Sequence, residues 1–166
     1  MRVLGIDPGV ATTGFGVVER IDGRVAPVEL GAIRTPAGTP QETRLATLRA
    51  ALAELIARHH PDVVAVERLF FNNNVRTAMA VGQASGIALL AAAEAGLSVT
   101  TYTPSEVKQS VVGVGSASKH QVQAMIAVLL GLDAPPSSPD AADACALAIC
   151  HINRAGLSRA VQRALR

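Results

Sequence analysis

The chain contains two short apolar runs, Val3-Leu4-Gly5-Ile6 and Val63-Val64-Ala65-Val66, and each stops on a carboxylate, Asp7 in the first and Glu67 in the second. Runs this short and this rich in Val and Ile read as strands covered on both faces, and Pro8-Gly9 ends the first of them sharply. A sheet with helices packed above and below it follows. The carboxyl ends of strands in an open sheet are where ligands and catalytic groups collect, so both acids are functional candidates. Asp-Pro-Gly is equally a turn that forms for local reasons. If the two strands are neighbours, the acids meet at one sheet edge, where their repulsion calls for a positive charge between them, usually a metal ion.

The rest of the chain supplies the layers. Val3 to Asp7 and Gly14 to Glu19 read as strands, and Asp22-Gly23 is a hairpin signal leading to a third from Val25 to about Arg34. The sheet should therefore open as an antiparallel meander. Gln41 to His59 repeats apolar residues at Leu45, Leu48, Leu52, Leu55 and Ile56 with a helical period and ends before Pro61. Val63 to Glu67 follows as a strand, then an Ala/Gly-rich helix from Val75 to Ala95 stopped by Gly96, then a strand from Ser98 to Tyr102. Thr103-Pro104-Ser105-Glu106 is a capping box with Pro at the first helical position, which makes Glu106 a cap for a short helix carrying Lys108. Gly113-Val114-Gly115-Ser116 breaks that helix, another runs from about Ser118 to Leu130, and Ser138-Pro139 caps a last one. The pattern predicts one α/β domain, residues 1–155, with a mixed sheet in which parallel strands follow the meander. Beyond it, residues 156–166 are expected to form a mobile basic tail.

A chain of 166 residues with 49% hydrophobic content can bury a core of its own, which excludes a disordered protein. No uncharged apolar stretch reaches the ~20 residues that span a bilayer. The first residues lack the sections of a signal peptide, so a soluble cytoplasmic protein without a membrane partner is expected. Cys145 and Cys150 fall on different faces of one predicted helix, which disfavours a disulfide and makes them small core residues. A net charge of +2 is too slight to imply a nucleic-acid partner, although Arg154, Arg159, Arg163 and Arg166 stand in the tail with no acid among them.

Two further acids lie in SPDAADACALA, where Asp140 and Asp143 share a helix face. Acids in a first helical turn are stabilised by the helix dipole and need no other explanation. Yet the surrounding Ala, Cys, Leu and Ile describe a helix packed on most of its surface, with Asp143 close to the buried side. Carboxylates from two strand ends and one helix form an oxygen ligand set for Mg²⁺ or Mn²⁺, without the Cys or His that zinc prefers. Two such ions activate a water and stabilise the leaving oxygen of a phosphodiester.

GIDPG, the acid of VAVE, VKQSVVGVGSASKHQVQ and the DAAD helix, in this order and over essentially the whole chain, resemble the RuvC family of Holliday-junction resolvases. The resemblance implies a ribonuclease H-like fold and a homodimer that nicks two opposed strands of a four-way DNA junction symmetrically in recombination and repair. It assigns Asp7, Glu67, Asp140 and Asp143 to the family's four catalytic acids, which coordinate two Mg²⁺ ions. It also implies RuvA and RuvB, the branch-migration proteins, as partners. The helix from Val75 resembles the family's dimerisation helix, and a helix packed within its own subunit has the same composition.

Lys108 and Lys119 are the only lysines beside thirteen arginines, and both match positions where the family uses lysine in junction binding and cleavage. Lysine offers a compact point charge where arginine offers a planar fork. Gly113, Gly115, Ser116 and Ser118 lie between them and can cradle a backbone phosphate; a plain flexible connection looks the same. Phe70 matches a family position that engages DNA near the cut, and aromatic rings stack on unpaired bases, while Phe71 can point into the core. Asn72-Asn73-Asn74 departs from the family pattern. Arg68 and Arg76 are phosphate contacts by charge alone. His59, His60, His120 and His151 lack metal-ligand spacing. Two competing functions remain, a catalytically inactive junction-binding module and an actin-like phosphotransferase fragment, the latter because Asp7, Gly9, Thr13 and Gly14 resemble a phosphate-binding turn. The actin-like fold needs a duplicated domain that this chain does not supply.

Overall fold

The computed structural model describes residues 1–68 and 75–164, with the backbone alone at residue 76 and at residues 158–164. Five strands and five helices follow one another as β1 (Arg2–Asp7), β2 (Thr12–Ile21), β3 (Arg24–Arg34), α1 (Gln41–His59), β4 (Val63–Glu67), α2 (Val75–Glu94), β5 (Ser98–Tyr102), α3 (Pro104–Val112), α4 (Lys119–Leu130) and α5 (Pro139–Ala164). Phe70, Phe71 and Asn72 to Asn74 lie outside the described residues, as does the side chain of Arg76. No described helix is long and apolar enough to cross a membrane.

The strands form a single sheet in the order β3-β2-β1-β4-β5. The first three pair antiparallel, while β4 and β5 run parallel to β1. Asp22 and Gly23 both adopt positive φ, 49° and 81°, the two-residue turn whose twist matches that of the flanking strands. Because so short a turn carries the ladder to its tip, β2 extends from Thr12 to Ile21, longer at both ends than the pattern predicts. Pro27 sits on the edge strand beside an irregularity at Val17/Val18, where its missing N–H interrupts nothing.

The alternation of side chains builds two cores. On one face Val3, Val18, Val63 and Ala65 pack with Val107, Val111, Val122, Ile126 and Ile152 of α3, α4 and α5. On the other Leu4, Ile6, Val17, Val64 and Val66 meet Leu48 and Leu52 of α1 and Ala84, Ala88 and Ala91 of α2. Each fully buried Val, Leu or Ile side chain contributes on the order of 1.5–3 kcal/mol. Cys145 and Cys150 are buried free thiols in this framework, and burial raises the Cys145 thiol to about 12.

The helix ends follow local chemistry. Thr103 and Glu106 form the capping box of α3, and Ser118 and Gln121 form a second one for α4, so Ser118 precedes its helix rather than opening it. Ser138 caps α5 through Ala141 N–H. That helix continues past residue 155, where the sequence reading begins a tail, to Ala164.

Candidate active site

The register of β1 and β4 brings the first two acids together. Val3 to Ile6 pair in step with Val63 to Val66, so Asp7 and Glu67 leave adjacent parallel strands at the same level. Two-residue periodicity turns both toward the α3, α4 and α5 face, the side occupied by Val3 and Ala65. The next strand continues the row, with Tyr102 opposite Glu67.

The helix-borne acids reach this row because α5 lies almost on the sheet backbone. A Cβ built on Gly5 would stand 2.0 Å from the Ala144 carbonyl oxygen, and one built on Gly14, the partner of Asp7, 2.0 Å from that of Asp140. Glycine at these two positions removes the obstacle, and Ala141, Ala142, Ala144 and Ala148 keep the helix side of the contact equally thin. The far end is held by Tyr102 Oη, 2.9 Å from His151 Nδ1, with the Arg154 guanidinium over the tyrosine ring. Burial lifts the Tyr102 phenol to about 12, so the hydroxyl keeps its proton in this bond.

Asp7, Glu67, Asp143, Lys108 and Lys119 line one cleft of about 220 Å³, closed on its apolar side by Val107, Val122 and Leu147. Lys119 Nζ donates to Asp143 Oδ2 at 2.7 Å. The Asp7 carboxyl is raised to about 7, first by burial and then by Glu67, Asp143 and Asp140, with Lys119 acting in the opposite sense. Glu67 is raised for the same reasons, burial and then Asp143. The Lys119 ammonium is held above its ordinary range by the hydrogen bond to Asp143. The site thus carries more buried negative charge than one ammonium balances. Among the described residues no three Asp, Glu, His or Cys side chains stand close enough together to hold one ion, and the cation nearest the acids is Lys119.

Asp140 is near enough to act on both Asp7 and Lys119, and it also lines an adjoining groove with Gly9 to Thr12, Gln41 and Arg44. Around this groove stand residues that sequence reasoning missed or read differently. Thr13, 1% exposed, donates Oγ1–H to the Gly9 carbonyl at 2.6 Å and so locks the turn after Asp7 rather than offering its hydroxyl to a phosphate. Thr35 Oγ1 donates to the Val10 carbonyl at 2.6 Å and accepts from Arg44 Nε at 2.8 Å. Thr35 and Arg44 carry no motif, since their role depends on strands and helices that meet only in the fold. Arg68 follows Glu67, donates its backbone N–H to Tyr102 O and is exposed. Ser116 is exposed in the loop between α3 and α4, and the Ser118 oxygen is engaged by its helix cap. His59 bonds Glu29, at the opposite end of the molecule from the acids.

A mixed sheet of this order, sandwiched between helices and carrying acids at the ends of β1 and β4 and on the last helix, is a ribonuclease H-like fold. A family model described as crossover junction endodeoxyribonuclease RuvC matches residues 3–151, and the chain belongs to the RuvC family. Curated relatives of that name include one from Chloroflexus aggregans, 56% identical over 91% of this chain and 92% of its own length. Another, from Moorella thermoacetica, is 54% identical over 91% and 90%. The solved Thermus thermophilus RuvC superposes with a TM-score of 0.87 at 36% identity, covering 95% of this chain and 97% of that one. The same protein in complex with a Holliday junction substrate matches with a TM-score of 0.87 at 34% identity, covering 95% and 96%. The yeast mitochondrial Holliday junction resolvase Ydc2 shares the fold, with a TM-score of 0.68 at 16% identity over 95% of this chain and 82% of that one.

Proposed function

We propose that this chain is a crossover junction endodeoxyribonuclease that resolves four-way DNA junctions by symmetric, metal-dependent nicking of two opposed strands. The observation that carries the reading is the convergence of Asp7, Glu67 and Asp143, from two strand ends and one helix, with Lys108 and Lys119 in one cleft. All four acids offer oxygen ligands, and the raised Asp7 and Glu67 carboxyls mark a site whose charge awaits a cation. Asp7, Glu67 and Asp143, with Asp140 completing the set or acting on the attacking water, would hold two Mg²⁺ ions, and Mn²⁺ would substitute. Such ions supply an activated water and a stabilised leaving oxygen.

The protein's own side chains do the rest. Val107, Val122 and Leu147 exclude water from one side of the cleft, which strengthens the field acting on a bound phosphate. Lys119, whose ammonium rests on Asp143, would offer a compact positive charge to the scissile phosphate, with Lys108 as the second charge lining the same cleft. Arg68, Arg76, Ser116, Ser118 and Phe70 are the further DNA contacts of this reading, the arginines by charge and Phe70 by its match to the family position.

A four-way junction has near two-fold symmetry, and a two-fold homodimer presents one active site to each of two equivalent strands. Helix α2 supports that assembly. Ala84, Ala88, Ala91 and Ala92 face the core, while Val75, Met79, Leu89 and Leu90 are exposed, and Gly86 opens onto empty space. RuvA and RuvB belong to the same reading as branch-migration partners, and co-purification with the complex they form tests them.

The deciding experiment is cleavage of a synthetic four-way junction beside a linear duplex of the same sequence, with Mg²⁺, with Mn²⁺ and with chelator. Paired symmetric nicks in the junction alone, abolished by chelator, are expected. Binding without nicks would identify the chain as a recognition module, and no preference for the junction would remove the proposed function.

A further inference from the structure

We infer that Arg44 is a phosphate-binding residue for the DNA strand as it leaves the acids on the side opposite Lys108 and Lys119. The inference rests on the proposed function and adds a second basic wall to the site. The first turn of α5 is seated on Gly14, and its two acids, Asp143 and Asp140, line two different depressions. One is the acid cleft with its two lysines, and the other is a groove of about 610 Å³ in which Asp140 and Arg44 both take part. On this inference a strand whose phosphate is cut at Asp7 reaches both depressions. The first depression carries Lys108 and Lys119; the second carries Arg44 as its one cationic lining residue among the described residues.

The aim of Arg44 is fixed from the turn that follows Asp7. Its Nε donates to Thr35 Oγ1, whose own proton goes to the Val10 carbonyl, and Thr35 is buried at 6% exposure. This chain of two bonds ties the guanidinium to the same Pro8 to Val10 turn that sets the Asp7 carboxylate. Only Nε is spent, because Nη1 and Nη2 make no hydrogen bond or ion pair within the described residues. Four N–H groups in a planar fork therefore remain on the groove side, the arrangement that receives two oxygens of one phosphate. A purely structural arginine would need Nε alone. Nearby Gln41 is already paired with Gln83 and offers no competing charge.

The test is a coupling measurement on junction binding in chelator, which separates affinity from cleavage. Junctions carry a single neutral methylphosphonate at successive positions flanking the cut, and wild type is compared with Arg44→Gln. The variant should bind the unmodified junction about tenfold more weakly, with the salt dependence reduced by about one phosphate contact. At one position on the Asp140 side, the methylphosphonate should weaken wild type and leave R44Q unaffected. Equal losses in both proteins at every position overturn the inference, as does unchanged affinity. If R44Q does not fold, Arg44→Lys is read instead: it keeps the charge without the fork, so a change in coupling confined to one phosphate on the Asp140 side supports the inference, and methylphosphonate effects identical to wild type at every position with unchanged affinity and no sensitive phosphate on that side overturn it. If wild type itself fails to prefer the junction to duplex, the proposed function falls and the inference falls with it.

Discussion

The Lys119 ammonium lies 2.7 Å from Asp143 Oδ2, joining the first residue of α4 to an acid of α5 across the mouth of the cleft. Both partners are partly exposed, the lysine at 58% and the aspartate at 33%, so the pair adds about 0–1 kcal/mol to stability. Lys119→Ala should therefore shift the melting temperature little. It should lower junction cleavage by at least about tenfold, because it removes a charge aimed at the reacting phosphate. Parallel melting and single-turnover cleavage measurements check this, and a large loss of stability would argue for a structural role instead.

Asp7 ionises near 3.8 in an unfolded chain but near 7 in the folded one. The folded state thus binds the extra proton between those values, and the stability this contributes is present below 3.8 and lost as pH rises through about 7. At pH 8 in chelator, Asp7→Asn should be more stable than wild type by roughly 2 kcal/mol, while cleaving nothing. Adding Mg²⁺ should raise the melting temperature of wild type and not of the variant, since a cation that binds the folded state stabilises it. Cleavage by wild type should rise with pH toward 7 and above, as protons stop competing for the acids.

Gly14→Ala should damage fold and site together. The new Cβ would have to occupy space 2.0 Å from the Asp140 carbonyl oxygen, which is backbone and cannot swing aside. Overpacking of this kind costs about 3 kcal/mol, and the displaced α5 carries both Asp140 and Asp143 with it. Chemical denaturation reads the first effect and cleavage under fully folded conditions the second.

Tyr102→Phe removes the hydrogen bond to His151 Nδ1 and leaves the packed ring in place. A stability loss of about 1 kcal/mol is expected. Affinity for the junction should be kept and turnover reduced, because the bond anchors the helix that carries Asp143 and touches no DNA-facing group. Equal turnover in variant and wild type would show that α5 is positioned without it.

The exposed apolar stripe of α2 predicts that Met79→Asp, or Leu90→Asp, converts a dimer to a monomer. Neither side chain supports the subunit's own core, so each variant should fold. Sedimentation should report half the mass, and junction cleavage should change from paired nicks to uncoupled single ones.

Much of this protein is legible along the chain because its signals are local. The apolar runs ending at Asp7 and Glu67, the Asp22-Gly23 turn, the capping box at Thr103 and the helical period of α1 each concern residues within one turn or one strand of each other, and each appears as read. Asp7 and Glu67 stand out along the chain as strand ends, and Asp140 and Asp143 as acids three apart on one helix. Where the reading stops is equally physical. The ends of β2 depend on its partner β3, whose ladder runs on to Thr12 and Ile21. That Ser118 is engaged as a cap depends on where α4 begins. The grouping of the acids is likewise tertiary: Asp143 lines one cleft with Asp7 and Glu67, while Asp140, three residues earlier on the same helix, acts on Asp7 and also lines an adjoining groove. Arg44 gains its place only when Thr35, from another element, reaches the Val10 carbonyl. Sequence alone determined which residues carry charge and which elements hold them, since propensity, period and caps act over a few residues. The tertiary structure alone decided which charges face one another, because burial, repulsion and hydrogen-bond direction depend on distances between elements far apart in the chain.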